Sequence, residues 1–292
     1  MKIEVNCHKV IIEAIESYRF FFYFFKKIIY IYIHKISFIM QEKQYDFPTE
    51  VIDLPSQGLC YPEGHPLASG KITLKYMTAK EEDILSSQNL IKKGVVLDKL
   101  LESVVVGTSI DDLIIGDKNA IFLATRILGY GPVYQVELTD PFSGERQKVD
   151  IDLGKVKTKD IDFNKLKRNN VYDFSLPSDG TKIKFRFLTH KDEQDITSEI
   201  QALEKLSKGA NPSDVTTRLR YMILEVNGNT DKSYVNKWVV NSFKAADSRA
   251  FRNYVKEISP DLELKFEFVS DITGETEALD IPFGINFFYP SN

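Results

Sequence analysis

Ile72-Thr73-Leu74-Lys75-Tyr76-Met77-Thr78-Ala79-Lys80-Glu81-Glu82 returns 111 positions later as Ile183-Lys184-Phe185-Arg186-Phe187-Leu188-Thr189-His190-Lys191-Asp192-Glu193. In both copies apolar side chains alternate with polar ones up to the Thr, the period of a half-buried strand. A Thr followed by carboxylates then reads as a helix start. Its hydroxyl caps free backbone N–H groups, and the acids sit at the positive end of the helix. Each copy therefore predicts a strand running into a capped helix.

The correspondence extends outward in the same order. Leu54-Pro55-Ser56-Gln57-Gly58 is matched by Leu176-Pro177-Ser178-Asp179-Gly180, Leu101–Gly107 by Met222–Gly228, and Ala120–Gly129 by Arg249–Ile258. Both copies end in a predicted hairpin. The first runs through Tyr134–Thr139, a turn at Ser143-Gly144-Glu145 and Lys148–Leu153, the second through Leu262–Ser270, a turn at Thr273-Gly274-Glu275 and Ala278–Phe283. The expected fold class is α+β, a tandem duplication whose units each carry a strand, two or three helices and a C-terminal hairpin. Within the first unit a helix is expected over 79–91, ended by Gly94, and another over 117–128 with Gly129 past its end. The apolar stretch 97–106 fits a helix or a buried strand. The expected organisation is a first unit over 40–159, a polar linker over 160–170, and a second unit over 171–292 with an aromatic tail. Only the first unit has the insert 59–70, whose two Pro and two Gly exclude a helix or central strand and predict an extended arm.

The first 39 residues differ from the rest. Between Tyr18 and Ile39, 19 of 22 residues are Phe, Tyr, Ile or Lys. Lys26, Lys27, His34 and Lys35 break this stretch into runs shorter than the roughly 18 apolar residues of a membrane span. No small-residue cleavage site follows, as a signal peptide requires. The expectation is that 1–39 is a non-native extension and that translation begins at Met40. The extension carries six Lys/Arg against three Asp/Glu, so the chain from Met40 onward is more acidic than the whole, whose net charge is −4. That balance gives no general attraction to nucleic acid or anionic membrane. Two cysteines, Cys7 and Cys60, are too few for a disulfide framework.

The sequence offers little for catalysis. Neither phosphate-binding glycine motif is present, and the histidines are His8, His34, His65 and His190. Cys60 and His65 could share a metal, but two ligands do not complete a tetrahedral site. His190, beside a helix cap, is expected in solvent. The acidic runs at Glu81-Glu82-Asp83, Asp111-Asp112 and Asp192-Glu193 are expected as solvated helix starts. Asp140-Pro141-Phe142-Ser143-Gly144-Glu145 and Asp271-Ile272-Thr273-Gly274-Glu275 have the outline of a zinc-ribbon knuckle without its cysteines, so no metal, cofactor or catalytic residue is expected. Arg218, Arg220, Arg249 and Arg252, with Trp238 and Tyr254 among them, form a basic and aromatic grouping of the kind that binds nucleic acid.

A resemblance gathers these features. Leu54-Pro55-Ser56 with Gly58, Tyr61-Pro62, Met77–Leu85, Ile91–Gly94, Gly116–Ala120, Arg126–Gly131 and the closing Ile281-Pro282-Phe283 with Phe287–Pro290 are similar to the T4-like bacteriophage baseplate hub assembly protein family, over about 45–290. Relatives often carry paired cysteines in the hairpin turn, and this chain does not. The resemblance implies a non-enzymatic protein acting in assembly of the baseplate hub of a contractile tail, as a chaperone or minor structural component. It also implies hub or tape-measure proteins as partners, without small-molecule substrate or membrane, in the host cytoplasm during assembly or in the virion baseplate. The alternative is a nucleic-acid-binding module of zinc-ribbon descent. Candidate partner-binding residues are Tyr61, Pro62 and His65 on the arm and Phe287, Phe288 and Tyr289 at the C-terminus, where the aromatic cluster either docks a partner or folds back onto its own core.

Overall fold

The computed structural model describes residues 47–207 and 214–288, so the leader 1–39, the expected start at Met40 and Tyr289 lie outside the described residues. In the first half, β1 (Thr49–Asp53), β2 (Lys71–Lys75) and the short β3 (Val105–Val106) form an antiparallel sheet in sequence order. In the second half, β6 (Tyr172–Ser175), β7 (Lys182–Phe185) and β8 (Ile223–Val226) do the same. The period-two reading holds in both central strands: Ile72 and Leu74 of β2, and Ile183 and Phe185 of β7, point into the core. With β4 (Val133–Thr139) paired to β5 (Arg146–Asp152), and β9 (Lys265–Val269) to β10 (Thr276–Asp280), the molecule is mixed helix and small antiparallel sheet.

Eight α-helices are present among the described residues. The helix expected over 79–91 is two: α1 (Ala79–Ser86) and α2 (Gln88–Lys93), separated by an extended Ser87. Three residues of Ser86-Ser87-Gln88-Asn89, the two Ser and the Asn, compete for backbone hydrogen bonds, so the break falls there. Gly94 ends α2 in the left-handed conformation, as expected. The ambiguous apolar stretch is both things in turn, α3 (Val96–Val104) and then β3. The next helix, α4, runs Ile115–Tyr130, so Gly129 lies inside it and Gly131 ends it at φ 82°. Gly129 sits there because Met77 packs onto the helix: a Cβ would meet the Met77 sulfur at 3.0 Å.

The second half adds α5 (His190–Ser207), α6 (Asp214–Met222), α7 (Lys232–Asn241) and α8 (Ala245–Ile258). Buried side chains of both halves form one hydrophobic cluster. Backbone bonds join the halves as well: the His190 N–H donates to the Leu113 carbonyl at 2.7 Å and Lys191 N–H to that of Asp111 at 3.0 Å. Gly116, at the start of α4, lies so close to Pro260 that a Cβ there would sit 1.9 Å from its carbonyl oxygen. Just before the polar stretch 160–170, the Lys159 ammonium reaches carbonyls of Lys256, Glu257 and Ser259 at the negative end of α8. Within that stretch, Phe163–Lys165 forms a single 3-10 turn.

Candidate functional site

The arm 59–70 leaves and re-enters the fold where two backbones touch. A Cβ on Gly58 would lie 2.5 Å from the Ala68 carbonyl oxygen, and one on Gly70 would lie 2.7 Å from the Gln57 carbonyl carbon. Both glycines also have left-handed φ, so each is required twice over. Inside the arm Tyr61 is buried. Its hydroxyl donates to Asp117 at 2.6 Å and accepts the Ile114 N–H at 3.2 Å. His65 stacks on that ring at 5.4 Å, accepts the Leu67 N–H through Nδ1, and holds Nε2 3.3 Å from Asp112. Pro62, Glu63 and Gly64 form its exposed tip. Of the arm's candidates, Pro62 is therefore exposed, His65 half-buried and Tyr61 an internal fastener.

Cys60 does not join His65. Its buried thiol, pushed up to about 12 by desolvation, faces the Tyr172 hydroxyl at 3.5 Å. No group of three or more His, Cys, Asp or Glu residues poised for a metal occurs among the described residues.

Asp117 fastens more than Tyr61. One of its oxygens accepts the Ser56 backbone N–H at 2.9 Å, and the other accepts the Ser56 hydroxyl at 2.7 Å. Burial pushes its carboxyl upward, against the downward pull of these bonds. In the second half Asp247 binds Ser178 in the same two ways, at 3.1 and 2.6 Å. Both Asp residues are third in their helices. This pairing of a Leu-Pro-Ser loop with a helix-start Asp was missed by reading the sequence. The shared spacing of 130 residues between Asp117 and Asp247, also the spacing of the hairpin glycines 144 and 274, was the signal available.

Two expectations about charged groups are corrected. Glu81 and Asp192 are not solvated: Glu81 is wholly buried and Asp192 nearly so. Glu81 accepts bonds from Lys75, Ser103 and Thr78. Burial alone would raise its carboxyl, but these bonds outweigh it and hold it at about 2. Asp192 mirrors this with Arg186 and Thr189. Nor is His190 in solvent. It is 1% exposed, because the first turn of α5 packs against α3 and the 111–114 segment, with Nε2 3.1 Å from the Gln194 amide and 3.7 Å from Asp98.

The C-terminal segment folds inward. Phe287 and Phe288 are buried, packing edge-on against Tyr134 and Phe122 at 5.1 and 5.7 Å. Beside them lies Arg126, 2% exposed, with no ion pair among the described residues. Its guanidinium donates to the carbonyls of Phe287 at 2.9 Å, Gly131 at 3.1 Å and Val133 at 3.4 Å, and lies over the rings of Tyr130 and Tyr134.

The two hairpin turns meet. Each is closed the same way, Asp140 N–H to Glu145 and Ser270 N–H to Glu275, with Gly144 and Gly274 in left-handed conformation. The Ser270 hydroxyl then donates to Asp140 at 2.6 Å, and Ser143 donates to the same carboxylate oxygen at 2.7 Å. Against the upward push of desolvation, these donors and the Phe142 N–H hold Asp140 at about 2. The Gln147 amide adds a second link, donating to the Val269 carbonyl and accepting the Asp271 N–H.

The basic and aromatic grouping is dispersed. Arg218 is taken by Glu193 and Asp214, and Arg220 by Glu199. Trp238 stacks on Phe243 and Tyr254 lies against Phe174, both at the edge of the core. They form no aromatic platform with the arginines. No helix among the described residues is long and apolar enough to cross a membrane.

A family model described as T4 bacteriophage base plate protein matches residues 50–288. Neither a curated protein nor a solved structure matches the chain.

Proposed function

Since the chain belongs to the T4 bacteriophage base plate protein family, we propose that it acts without catalysis in assembly of the central hub of the baseplate, through contacts with hub or tape-measure proteins. The observation that carries this reading is the span of the match, which covers both sheets, both hairpins and the inward-folded C-terminal segment. Its buried carboxylates fit the same reading, because Glu81, Asp117 and Asp192 are each engaged by hydroxyl and N–H donors of the fold itself. The protein acts in the host cytoplasm during assembly, as a chaperone or as a minor component of the virion baseplate.

The chain is also read as a tandem duplication. Supporting this are the matched capping sets Lys75/Thr78/Glu81 and Arg186/Thr189/Asp192, and the matched pairs Ser56–Asp117 and Ser178–Asp247. The facing turns, joined by Asp140 and Ser270, support descent from a ribbon whose metal clip gave way to hydrogen bonds.

Peptide mass spectrometry on purified particles beside infected-cell lysate, with chemical cross-linking of both, tests the hub role. Cross-links to hub or tape-measure proteins are expected. Presence in particles at hub-like copy number marks a structural component, and presence in lysate alone marks a chaperone. Cross-links only to peripheral baseplate or unrelated proteins in both samples would overturn the proposal.

A further inference from the structure

The two hairpin turns are alike down to single hydrogen bonds. Asp140 and Ser143 in the first, and Ser270 and Thr273 in the second, stand three positions apart. Each pair is followed by a glycine, Gly144 at φ 76° and Gly274 at φ 73°. The N–H of that glycine returns to the carbonyl of Asp140 or Ser270, at 2.9 Å in both turns. The four side chains are held alike as well. Asp140 accepts the Phe142 N–H at 2.8 Å, and the Ser143 hydroxyl accepts that of Glu145 at 3.3 Å. Ser270 accepts the N–H groups of Ile272 and Thr273 at 3.2 and 3.0 Å, and Thr273 accepts that of Glu275 at 3.3 Å. Each of the four side chains thus takes an N–H from two residues further on.

Backbone N–H groups aimed at two side chains three positions apart are what a metal-binding knuckle gives its pair of thiolates. Those donors stabilise the thiolate charge and fix its direction. Two such turns facing each other supply four positions, the number a tetrahedral zinc site needs. The side chains present do not fit zinc. Three are hydroxyls, which keep their protons at neutral pH, so Asp140 would be the one anionic ligand. The hydroxyls of Ser143 and Ser270 instead donate their protons to one oxygen of Asp140, at 2.7 and 2.6 Å, and the second of these bonds joins the turns.

We infer that positions 140, 143, 270 and 273 are the four ligand positions of a tetrahedral metal clip. This chain keeps their geometry and joins the turns by the Ser270–Asp140 hydrogen bond in place of a metal. The inference deepens, and rests on, the reading of the facing turns as a ribbon whose metal gave way to hydrogen bonds. It is independent of the hub role.

The test is the full chain carrying Asp140→Cys, Ser143→Cys, Ser270→Cys and Thr273→Cys together, kept reduced and titrated with cobalt(II) alone. One cobalt per monomer is expected, with the strong visible absorption of tetrahedral coordination and thiolate charge transfer in the near ultraviolet, both lost on adding zinc. The triple variant that keeps Ser270 should bind cobalt about a hundredfold more weakly or worse, beyond what loss of an outer-shell partner costs. The unsubstituted chain, with Cys7 and Cys60 alone, should give no such spectrum. If the fourfold variant is unfolded without metal, recovery of its fold with one cobalt supports the inference equally, because binding and folding are then coupled. A folded fourfold variant without the tetrahedral spectrum, one that neither binds nor folds, or a triple variant of equal affinity would each overturn it. The reading beneath it fails separately. Ser270→Ala in the otherwise unchanged chain should quicken amide exchange at Asp140 and Gly144, in the opposite hairpin, by about tenfold. Unchanged exchange there would remove the hydrogen bond as the metal's replacement and leave the four ligand positions to the cobalt result.

Discussion

Replacing Arg126 by Met should loosen the C-terminal segment and cost stability that no loss of packing volume explains. Met roughly fills the space of the aliphatic stem, so what disappears is the guanidinium and its three bonds to backbone carbonyls. The bond to Val133 is long at 3.4 Å and contributes little. The other two, to Phe287 and Gly131, are hydrogen bonds from a charged donor, worth about 1.5–3 kcal/mol each net of hydration. The Gly131 side is only partly buried, and water can take over that carbonyl. The buried Phe287 carbonyl has no such replacement, so the net loss is about 3 kcal/mol. For a chain of this size that is a fall of roughly 6–12 °C in Tm. Urea unfolding at neutral pH gives the free energy, and amide exchange locates it. Protection should drop first at Ile285–Phe288 while the middle of α4 keeps its own. Arg126→Lys should fall between, since an ammonium cannot reach three carbonyls in the fixed geometry of a guanidinium. A loss below about 1 kcal/mol in Arg126→Met would refute the reasoning and assign the anchoring of the segment to its apolar packing.

Two further predictions concern titration. Glu81 has a folded value of about 2 against 4.5 for the free side chain, so its contribution is complete above about pH 4.5 and is lost as pH falls towards 2. Glu81→Gln should flatten that part of the acid-stability curve by at most about 3 kcal/mol, and a curve unchanged by the substitution would sink the assignment. His190 runs in the other direction: burial, and then the neighbouring Lys118 charge, hold it below its ordinary value despite Asp98, Asp111 and Glu102. The unfolded chain then binds the proton that the folded chain refuses, so stability should fall as pH drops below about 6.5. Urea midpoints at pH 7.5 and 5.5 should differ less in His190→Gln than in the parent protein, and an equal difference in both would contradict the assignment.

What the sequence displayed best was written within a few residues. The alternation of Ile72 and Leu74, the Thr78 cap with its acidic first turn, the Gly94 stop and the two hairpin turns are local devices, and each is where the pattern placed it. Two of the failures share a physical cause. Whether a carboxylate at a helix start is solvated depends on what lies above it, and for Glu81 that is Ser103, 22 residues away. His190 is buried because α5 begins against the 111–114 segment, which no reading of 189–193 could reveal. The break at Ser87 has a different origin: local propensity interrupts the helix there although the apolar period runs on.

The candidate site shows the same division more sharply. Of the two readings left open for the closing aromatic cluster, docking a partner or folding back onto the core, Phe287 and Phe288 take the second, and Arg126, 161 positions earlier, has Phe287 as its nearest acceptor. An arginine in the middle of an apolar helix, Ile121–Leu128, was the visible anomaly. A cation buried without a carboxylate must spend its donors on carbonyls, and carbonyls free to accept them occur at chain turns and ends rather than inside helices or sheets. Such a residue points to a segment that folds back upon it. The same logic separates the arm's candidates. Tyr61 is bound inward by Asp117 while His65 meets Asp112 at the surface, and the surface the arm offers a partner is Pro62–Gly64 at its tip together with Pro66 and Ser69.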